Sequence, residues 1–286
     1  MKKISYLLPI VLLFMLSACG GSATTENTDT GVSAVSTETP LNGSEANNNS
    51  ATGNESGQTS NTPSEQNNNA SNTGSGNCYN EYYPVKSGVS WAYTMNSSLT
   101  GEDSFTRSIL DVNDTGFTDQ DTWAIGTVRT GSWTCDNGNL TALSLGGLAT
   151  VSASEQTFVA TSQESSGVTY PSPMDVGTSW SQHLTISGDM VVTEGMSGTT
   201  TAEATQSCTA VGEESVSVPA GTFDAMKLNC TTAITVTLDI EGMAMEPTTI
   251  NATSDMWFVK GVGMVKTVDN NDLTSATIEL TSYVIP

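Results

Sequence analysis

The sequence offers few residues that could carry out catalysis. It contains one histidine, His183, and no G-x-S-x-G sequence, so a serine hydrolase of the common type lacks its usual parts. Adjacent carboxylates occur at Glu102-Asp103 and Glu213-Glu214, but neighbours on a strand point to opposite faces and cannot act together on one bond. The sequence therefore predicts no catalytic residue and no cofactor.

A partial match to a calcium-binding loop begins at Asp111. Oxygen-bearing side chains occupy the first, third, fifth and ninth positions of the loop, and Gly116 occupies the sixth. The twelfth position is Thr122, where this type of loop needs a bidentate glutamate. We therefore expect a hairpin turn between two strands, and we keep Asp111, Asn113 and Asp119 as weak candidate cation ligands.

A second candidate metal site consists of two thioethers. Met243 and Met245 would share one face of an extended strand, where they could bind Cu(I). Methionine is common throughout the same region, so we favour a role in filling the core or the lip of a pocket. The chain lacks the C-x-x-C pairs and the second histidine that a structural zinc site would use.

The N-terminus has the layout of a secretory signal. Two lysines precede an apolar run at residues 6–16, about half the ~20 residues that a membrane-spanning helix needs. Leu16-Ser17-Ala18-Cys19 follows, and it resembles the bacterial lipobox. The resemblance implies cleavage after residue 18 and acyl chains such as palmitate on Cys19, which anchor the protein to a membrane. Gly20, in place of aspartate, implies the outer membrane if the host is Gram-negative.

The composition divides the rest of the chain in two. Residues 19–77, which begin at the lipid-bearing cysteine, are rich in Asn, Ser, Thr, Gly and Glu and have no aromatic side chain. They cannot bury enough surface to fold, so we expect a disordered tether with a reach of roughly 40 Å. Residues 78–286 can form one domain with a sizeable core. They carry 24 acidic and 6 basic side chains, which makes nucleic acid a poor partner.

Four cysteines lie in the domain: Cys78, Cys135, Cys208 and Cys230. An even number of cysteines in an oxidising compartment indicates two disulfides, for which three pairings are possible. We favour Cys208 with Cys230, because these two residues flank a chain reversal at Pro219-Ala220-Gly221. The pairing of Cys78 with Cys135 then follows by elimination.

Alternating apolar and polar residues, rich in Thr, Val and Ile, predict strands. The predicted strands span residues 123–130, 201–209, 211–218, 225–239, 249–259 and 274–284. No stretch of the domain keeps an apolar stripe at helical spacing for three turns. We therefore expect an all-β fold, with a single mostly antiparallel, curved sheet or open half-barrel and long strands.

The pattern P-x-x-x-G-x-S-W occurs twice, at residues 84–91 and 173–180. Proline and glycine favour a turn in each copy, and the tryptophan then opens a strand. We expect two related halves of the sheet, with Trp91 and Trp180 as equivalent core anchors.

Both copies contribute to a family resemblance, together with V-P-A-G-T-F at 218–223, G-V-G-M-V-K at 261–266 and I-E-L-T-S-Y at 278–283. These motifs resemble those of uncharacterised bacterial envelope lipoproteins, over nearly all of residues 83–284. The resemblance implies an open antiparallel half-barrel, similar in shape to the carriers that move lipoproteins to the outer membrane. Because the motifs are turns and strand starts, it implies no functional residue.

Taken together, these patterns predict a lipid-anchored binding or scaffold module of the cell envelope, with the concave face of the sheet as its ligand surface. The expected partners are the membrane, through lipid on Cys19, and an apolar ligand or an envelope protein. The alternatives are a passive structural lipoprotein without a ligand and a carboxylate-based hydrolase. An open apolar concave face would favour binding, a filled one would favour a scaffold, and two inward carboxylates ~5 to 9 Å apart in a cleft would favour the hydrolase.

Overall fold

The computed structural model describes most of the domain that follows the tether. The described residues are 76–144, 150–153, 156–193, 196–240, 242–272 and 274–286. The signal peptide, Cys19 and the tether up to residue 75 lie outside the described residues, so lipidation and disorder stay predictions there. No helix in the described residues is long and apolar enough to cross a membrane.

The described residues form fourteen strands after one 3-10 turn at Gly76–Cys78. The strands are β1 Ser90–Ser97, β2 Gly101–Asn113, β3 Gly116–Trp123, β4 Val128–Asp136, β5 Asn139–Ala142, β6 Thr150–Ala153, β7 Gln156–Gly167, β8 Ser179–Thr193, β9 Met196–Val218, β10 Gly221–Ile240, β11 Met243–Ala244, β12 Thr248–Val259, β13 Gly263–Asn271 and β14 Ser275–Val284.

All fourteen strands belong to one sheet, and all their pairings are antiparallel. Twelve of them follow one another around a nearly closed barrel, in the order β10, β12, β13, β14, β1, β2, β3, β4, β6, β7, β8 and β9. β9 also pairs with β10. The short strands β5 and β11 pair with β4 and β10, respectively. The prediction of an all-β, antiparallel, curved sheet is therefore confirmed.

Most of the predicted strands correspond to observed ones. The ranges 225–239 and 249–259 fall within β10 and β12, and 274–284 matches β14 except for its first residue. The ranges 201–209 and 211–218 join into the single long strand β9. These segments alternate over many residues between a core face and a solvent face, which is the pattern that identifies a strand most clearly.

The predicted strand at 123–130 is wrong, because the chain turns there. β3 ends at Trp123 and β4 begins at Val128. In the turn, Gly126 adopts a φ of 90°, and its backbone N–H donates to the carbonyl of Trp123 at 2.9 Å. Ile125 continued the apolar alternation in the sequence, but its side chain is 52% exposed. A single apolar residue in a turn thus imitated the periodicity of a strand.

The repeated P-x-x-x-G-x-S-W pattern forms the same local structure twice. Gly88 and Gly177 adopt φ angles of 85° and 88°, which glycine tolerates best. Two residues after each glycine, a serine begins a strand. The strands that begin there, β1 and β8, stand six places apart in the ring of twelve. This arrangement supports the interpretation of two related halves.

The two tryptophans of the repeat are not equivalent in burial. Trp91 is 1% exposed, lies 5.5 Å from the ring of Tyr83, and donates its indole N–H to the carbonyl of Val262 at 2.6 Å. Trp180 is only partly buried, although its indole N–H also donates, to the carbonyl of Thr169 at 2.9 Å. The expectation of equivalent anchors is therefore corrected. Tyr83, in the segment before β1, packs its ring against Trp91, whereas the segment before β8 contributes the backbone carbonyl of Thr169 to Trp180.

Aromatic side chains fill one part of the barrel interior. A barrel of eight strands can be filled by its own side chains, and the diameter grows with strand number, so twelve strands need additional filling. The segment before β1 supplies it, because Tyr83 packs against Phe117, Trp133 and Tyr170 at centroid distances of 5.5 to 6.0 Å. Asn80 fixes this segment by donating to the carbonyl of Gly138 at 2.8 Å.

Both favoured disulfides are present. Cys78 is bonded to Cys135, which ties the segment before β1 to β4, and Cys208 is bonded to Cys230. Cys208 and Cys230 lie directly opposite each other on β9 and β10, with a Cα–Cα distance of 4.1 Å. The reversal after β9 thus brings the two cysteines together, as its sequence predicted.

A second apolar cluster covers the inner face of β8, β9 and β10. Its buried members are Leu184, Ile186, Ala202, Val236 and Leu238. Together with the aromatic cluster, it covers much of the inner face with packed apolar side chains. This apolar packing favours the scaffold interpretation for that part of the barrel interior.

Candidate binding site

An ionic cluster lies inside the barrel. Arg107 on β2, Asp121 on β3 and Arg129 on β4 lie directly opposite one another in register, and we call them the ionic ladder. Arg107 donates from Nε and Nη2 to the two carboxylate oxygens of Asp121, at 2.7 and 2.8 Å. Arg129 Nη2 also donates to Asp121 Oδ2. These are the two arginines of the chain.

Strand alternation places the ladder inside. Arg107 is two residues from Phe105 and from Ile109, which are both buried, and Asp121 is two residues from the buried Trp123. Because alternate residues share a face, the charged side chains enter the same interior as the apolar ones. The sequence analysis missed the ladder. Its signal was a charged residue in phase with apolar residues on two successive strands.

Burial and the neighbouring charges shift the pKa values in this cluster. Burial raises the pKa of Asp121, but Arg107 and Arg129 outweigh burial, so the pKa lies below its ordinary value of 3.8. Burial also raises the pKa of Asp119, and Arg107, with its Nε 3.9 Å from Asp119 Oδ2, offsets this only in part. The hydroxyl of Tyr83 lies 3.5 Å from Asp119, and burial raises its pKa well above 10.0.

We interpret this interior cluster as part of the scaffold. The charges of the two carboxylates and the two guanidinium groups cancel when all four are ionised, and both arginines form ion pairs with Asp121. The opposite pKa shifts of Asp119 and Asp121 are those of an acid–base pair, the feature that a carboxylate hydrolase would need. Asp119 is only 4% exposed and lies beside Tyr83, however, so burial keeps it from solvent and from an external substrate.

A polar trough lies on the outer face, where β9, β10, β12 and β13 run side by side. It encloses about 610 Å³, within the range of ~300 to 1,000 Å³ typical of small-ligand sites. Such sites are lined mostly by hydrophobic and aromatic side chains, whereas eight of the eleven residues that line this trough carry a hydroxyl or amide group. Its lining residues include Thr205, Ser207, Thr231, Asn251, Thr253 and Asn270.

Strand register aligns four of these side chains. Ser207, Thr231, Thr253 and Asn270 lie directly opposite one another on β9, β10, β12 and β13, and we call them the trough row. Neighbouring strands are ~4.8 Å apart, so the row extends over roughly 14 Å. The adjacent residues Cys208 and Cys230 are buried, which is why the row itself faces outward.

All four side chains of the trough row are exposed, and none forms a hydrogen bond or ion pair with another residue of the described structure. Other hydroxyls on the outer face pair with each other, as Ser179 does with Thr209 at 2.8 Å and Thr235 with Thr249 at 3.0 Å. The trough therefore presents several adjacent donors and acceptors to solvent.

The trough is nearly uncharged. Among the residues that line it, Asp272 is the one with a charged side chain. His183 lies beside it, with Nδ1 3.2 Å from Thr205 Oγ1. Within the described residues, no group of three His, Cys, Asp or Glu side chains could hold a metal ion. The sequence analysis missed the trough, because its Thr, Ser and Asn residues have the pattern of any solvent-exposed strand face.

The structure separates the three candidate calcium ligands. Asp111 and Asn113 are exposed near the end of β2, whereas Asp119 is buried inside the barrel. Asp114 and Thr115 connect β2 to β3, so this segment forms the favoured hairpin turn. Because Asp119 lies on the inner side of the sheet, the three side chains do not converge on one position.

The two candidate copper ligands also differ in their surroundings. Met243 is 64% exposed on the short strand β11, whereas Met245 is partly buried and packs against the second apolar cluster. Met245 thus has the core-filling role that we favoured for these methionines, and the two thioethers do not share one environment.

The sequence matches the model of a family described as DUF3108-like over residues 112–278. This match covers more than half of the chain, and the chain therefore belongs to the DUF3108-like family. All four strands that form the trough row lie within the matched residues. No protein with a curated description matches the sequence.

Three solved structures show a distant likeness in fold. An exported protein with a YmcC-like fold from Bacteroides fragilis NCTC 9343 is 14% identical, with a TM-score of 0.41 over 72% of this chain and 100% of that one. A lipoprotein from Parabacteroides distasonis ATCC 8503 is 14% identical, with a TM-score of 0.42 over 72% and 99%. The hypothetical lipoprotein YmcC from Escherichia coli K12 is 9% identical, with a TM-score of 0.30 over 70% and 86%.

Proposed function

We propose that this chain is a lipid-anchored, non-catalytic binding module of the cell envelope, with the trough on the outer face as its ligand site. The observation that carries the proposal is the trough row, in which four adjacent hydrogen-bonding side chains are exposed without a protein partner. The lipid anchor rests on Leu16-Ser17-Ala18-Cys19, and an outer-membrane location rests on Gly20 and a Gram-negative host.

The disulfide between Cys208 and Cys230 supports a preformed site. Each cysteine directly precedes or follows a member of the trough row, Ser207 on β9 and Thr231 on β10. The bond therefore fixes the distance between these two strands at the trough itself. A site that is already rigid loses less conformational entropy when a ligand binds.

The anchor and the tether define where such a site would act. If residues 19–77 form the tether that their composition predicts, the domain can reach roughly 40 Å from its lipid. The trough carries no cationic side chain, and the domain as a whole is strongly acidic, so anionic lipid headgroups are unsuitable ligands. The ligand is therefore an envelope component other than an anionic lipid headgroup, within reach of the tethered domain.

A passive structural lipoprotein is the second candidate. The observation that favours it is the apolar packing on the concave face, where the two clusters bury the side chains that an apolar ligand would contact. The two candidates differ in the role of the trough, because a passive protein would bind no ligand at the exposed trough row.

Co-sedimentation with insoluble envelope material from the host tests the proposal. The intact protein, in micelles of a polyoxyethylene detergent, is compared with a trough variant, Ser207→Ala with Thr231→Val. The matched control is Thr201→Val with Thr237→Val, which changes another directly opposed pair on the outer face of the same two strands, outside the trough. We expect the parent and the control to sediment with the material and the trough variant to stay in solution.

Equal sedimentation of the trough variant and the parent would overturn the proposal in favour of the passive protein. Sedimentation of none of the three proteins would do the same. Both pairs of substitutions lie on the outer face, so the folded structure should tolerate them, within ~0.5 kcal/mol of the parent stability.

A further inference from the structure

The chemistry of the trough also restricts the class of its ligand, on the premise that the trough is the binding site. Hydroxyl and amide groups each donate and accept hydrogen bonds, so their best partner carries groups that also do both. An anion finds no cationic side chain among the lining residues, and a cation finds only Asp272. The ligand is therefore neutral and rich in hydroxyl or amide groups.

The spacing of the row adds a second restriction. Its hydrogen-bonding groups repeat once for each strand, every ~4.8 Å, over four strands. A ligand that satisfies all four groups has a similar repeat and lies across the strands. Linked pyranose rings have hydroxyl or acetamido groups on every ring and a repeat of this size.

A neutral peptide is a poorer fit. Extended peptides usually bind by pairing with a free strand edge, where the main chain supplies most hydrogen bonds. The four trough strands are flanked by neighbours, since β9 also pairs with β8 and β13 with β14. The trough therefore offers side chains, and a peptide would leave part of its main chain without partners.

We propose that the trough binds a neutral saccharide chain, which crosses β9, β10, β12 and β13 along the trough row. The trough-lining residues include no aromatic ring for a sugar to stack on, so binding depends on hydrogen bonds made in water. Four such bonds correspond to a dissociation constant near ~1 mM for one site. Many copies anchored in one membrane can hold a polymeric saccharide more tightly, because they bind it at several points.

The test uses chitotetraose and maltotetraose as probes on the intact protein, in a detergent without a sugar headgroup. Saturation-transfer NMR measures the affinity of the parent, the trough variant and the control variant defined above. We expect at least one probe to bind with a dissociation constant near ~1 mM, the control to bind equally, and the trough variant to bind about thirtyfold more weakly. A thirtyfold loss is the effect of removing two of four equal hydrogen-bonding groups of ordinary strength.

Two results would overturn the saccharide inference. The first is the absence of saturation transfer to both probes at several times ~1 mM. The second is a trough variant that binds a probe as tightly as the parent, which would show binding elsewhere. A tetra-alanine probe separates this failure from failure of the proposed function. If it alone binds, and only the trough variant loses it, the trough is the site but its ligand is a peptide.

Discussion

Replacing Asp121 by asparagine should destabilise the barrel strongly, because it leaves two guanidinium groups inside without their carboxylate. Arg107 and Arg129 both donate to Asp121, and their side chains are 14% and 11% exposed. Removing one partner of a buried ion pair costs ~3 to 5 kcal/mol. The small exposure of both arginines lets water reach them in part, so we expect a loss near the lower limit, about 3 kcal/mol.

The pH dependence of this loss follows from the lowered pKa of Asp121. Its folded-state pKa lies below the ordinary value of 3.8, so the ionised form contributes its full stability above about pH 3.8. That contribution is lost as the pH falls through the folded-state pKa. The difference in stability between the parent and Asp121→Asn should therefore be constant from neutral pH to about pH 4 and should narrow at lower pH. Asp121 also raises the pKa of Asp119, so both proteins carry Asp119→Asn in this comparison, which removes the second titration from the difference.

Urea denaturation, followed by tryptophan fluorescence between pH 2 and 7, measures this difference in the free energy of unfolding. Asp114→Asn is the matched control, since Asp114 is exposed in the turn between β2 and β3 and should change stability by less than ~0.5 kcal/mol. A loss below ~1 kcal/mol for Asp121→Asn at pH 7 would refute the reasoning. So would a difference that does not narrow below pH 3.8.

Three further outcomes are expected. Trp91→Ala should cost ~3 to 5 kcal/mol and Trp180→Ala about half as much, because only Trp91 is fully buried, and equal losses in urea denaturation would contradict the observed burial. Replacing Cys208 and Cys230 together by alanine should lower the free energy of unfolding by about 3 kcal/mol, given their sequence separation of 22, and a loss below ~1 kcal/mol would contradict this. Cys19→Ala should abolish acylation and membrane attachment, which intact-protein mass spectrometry detects, and an acylated variant would disprove the lipobox assignment.

The sequence predicted strands well where the alternation was long, as in β10 and β12. It failed at Ile125, because a turn can carry one apolar residue without burying it. It did not show that the curved sheet nearly closes. Closure depends on contacts between residues far apart in the chain, such as Ser90 with Val284, and local patterns do not determine such pairings.

The candidate sites were harder to predict for the same reason. The ionic ladder was visible in part, since Arg107 and Asp121 are each in phase with buried apolar residues. The trough row was not visible, because Ser207 and Thr231 become neighbours only through the register of β9 with β10. Each has the composition of an ordinary solvent-exposed position.

The most direct test of the central claim is NMR of the intact protein with 13C-labelled threonine methyl groups, titrated with chitotetraose and maltotetraose. We expect the signals of Thr231 and Thr253, inside the trough, to shift together with a half-point near ~1 mM. The signals of Thr201 and Thr237, on the same sheet outside the trough, should stay in place. Shifts at Thr201 and Thr237 with none at Thr231 and Thr253 would contradict the account, and so would the absence of any shift at several times ~1 mM.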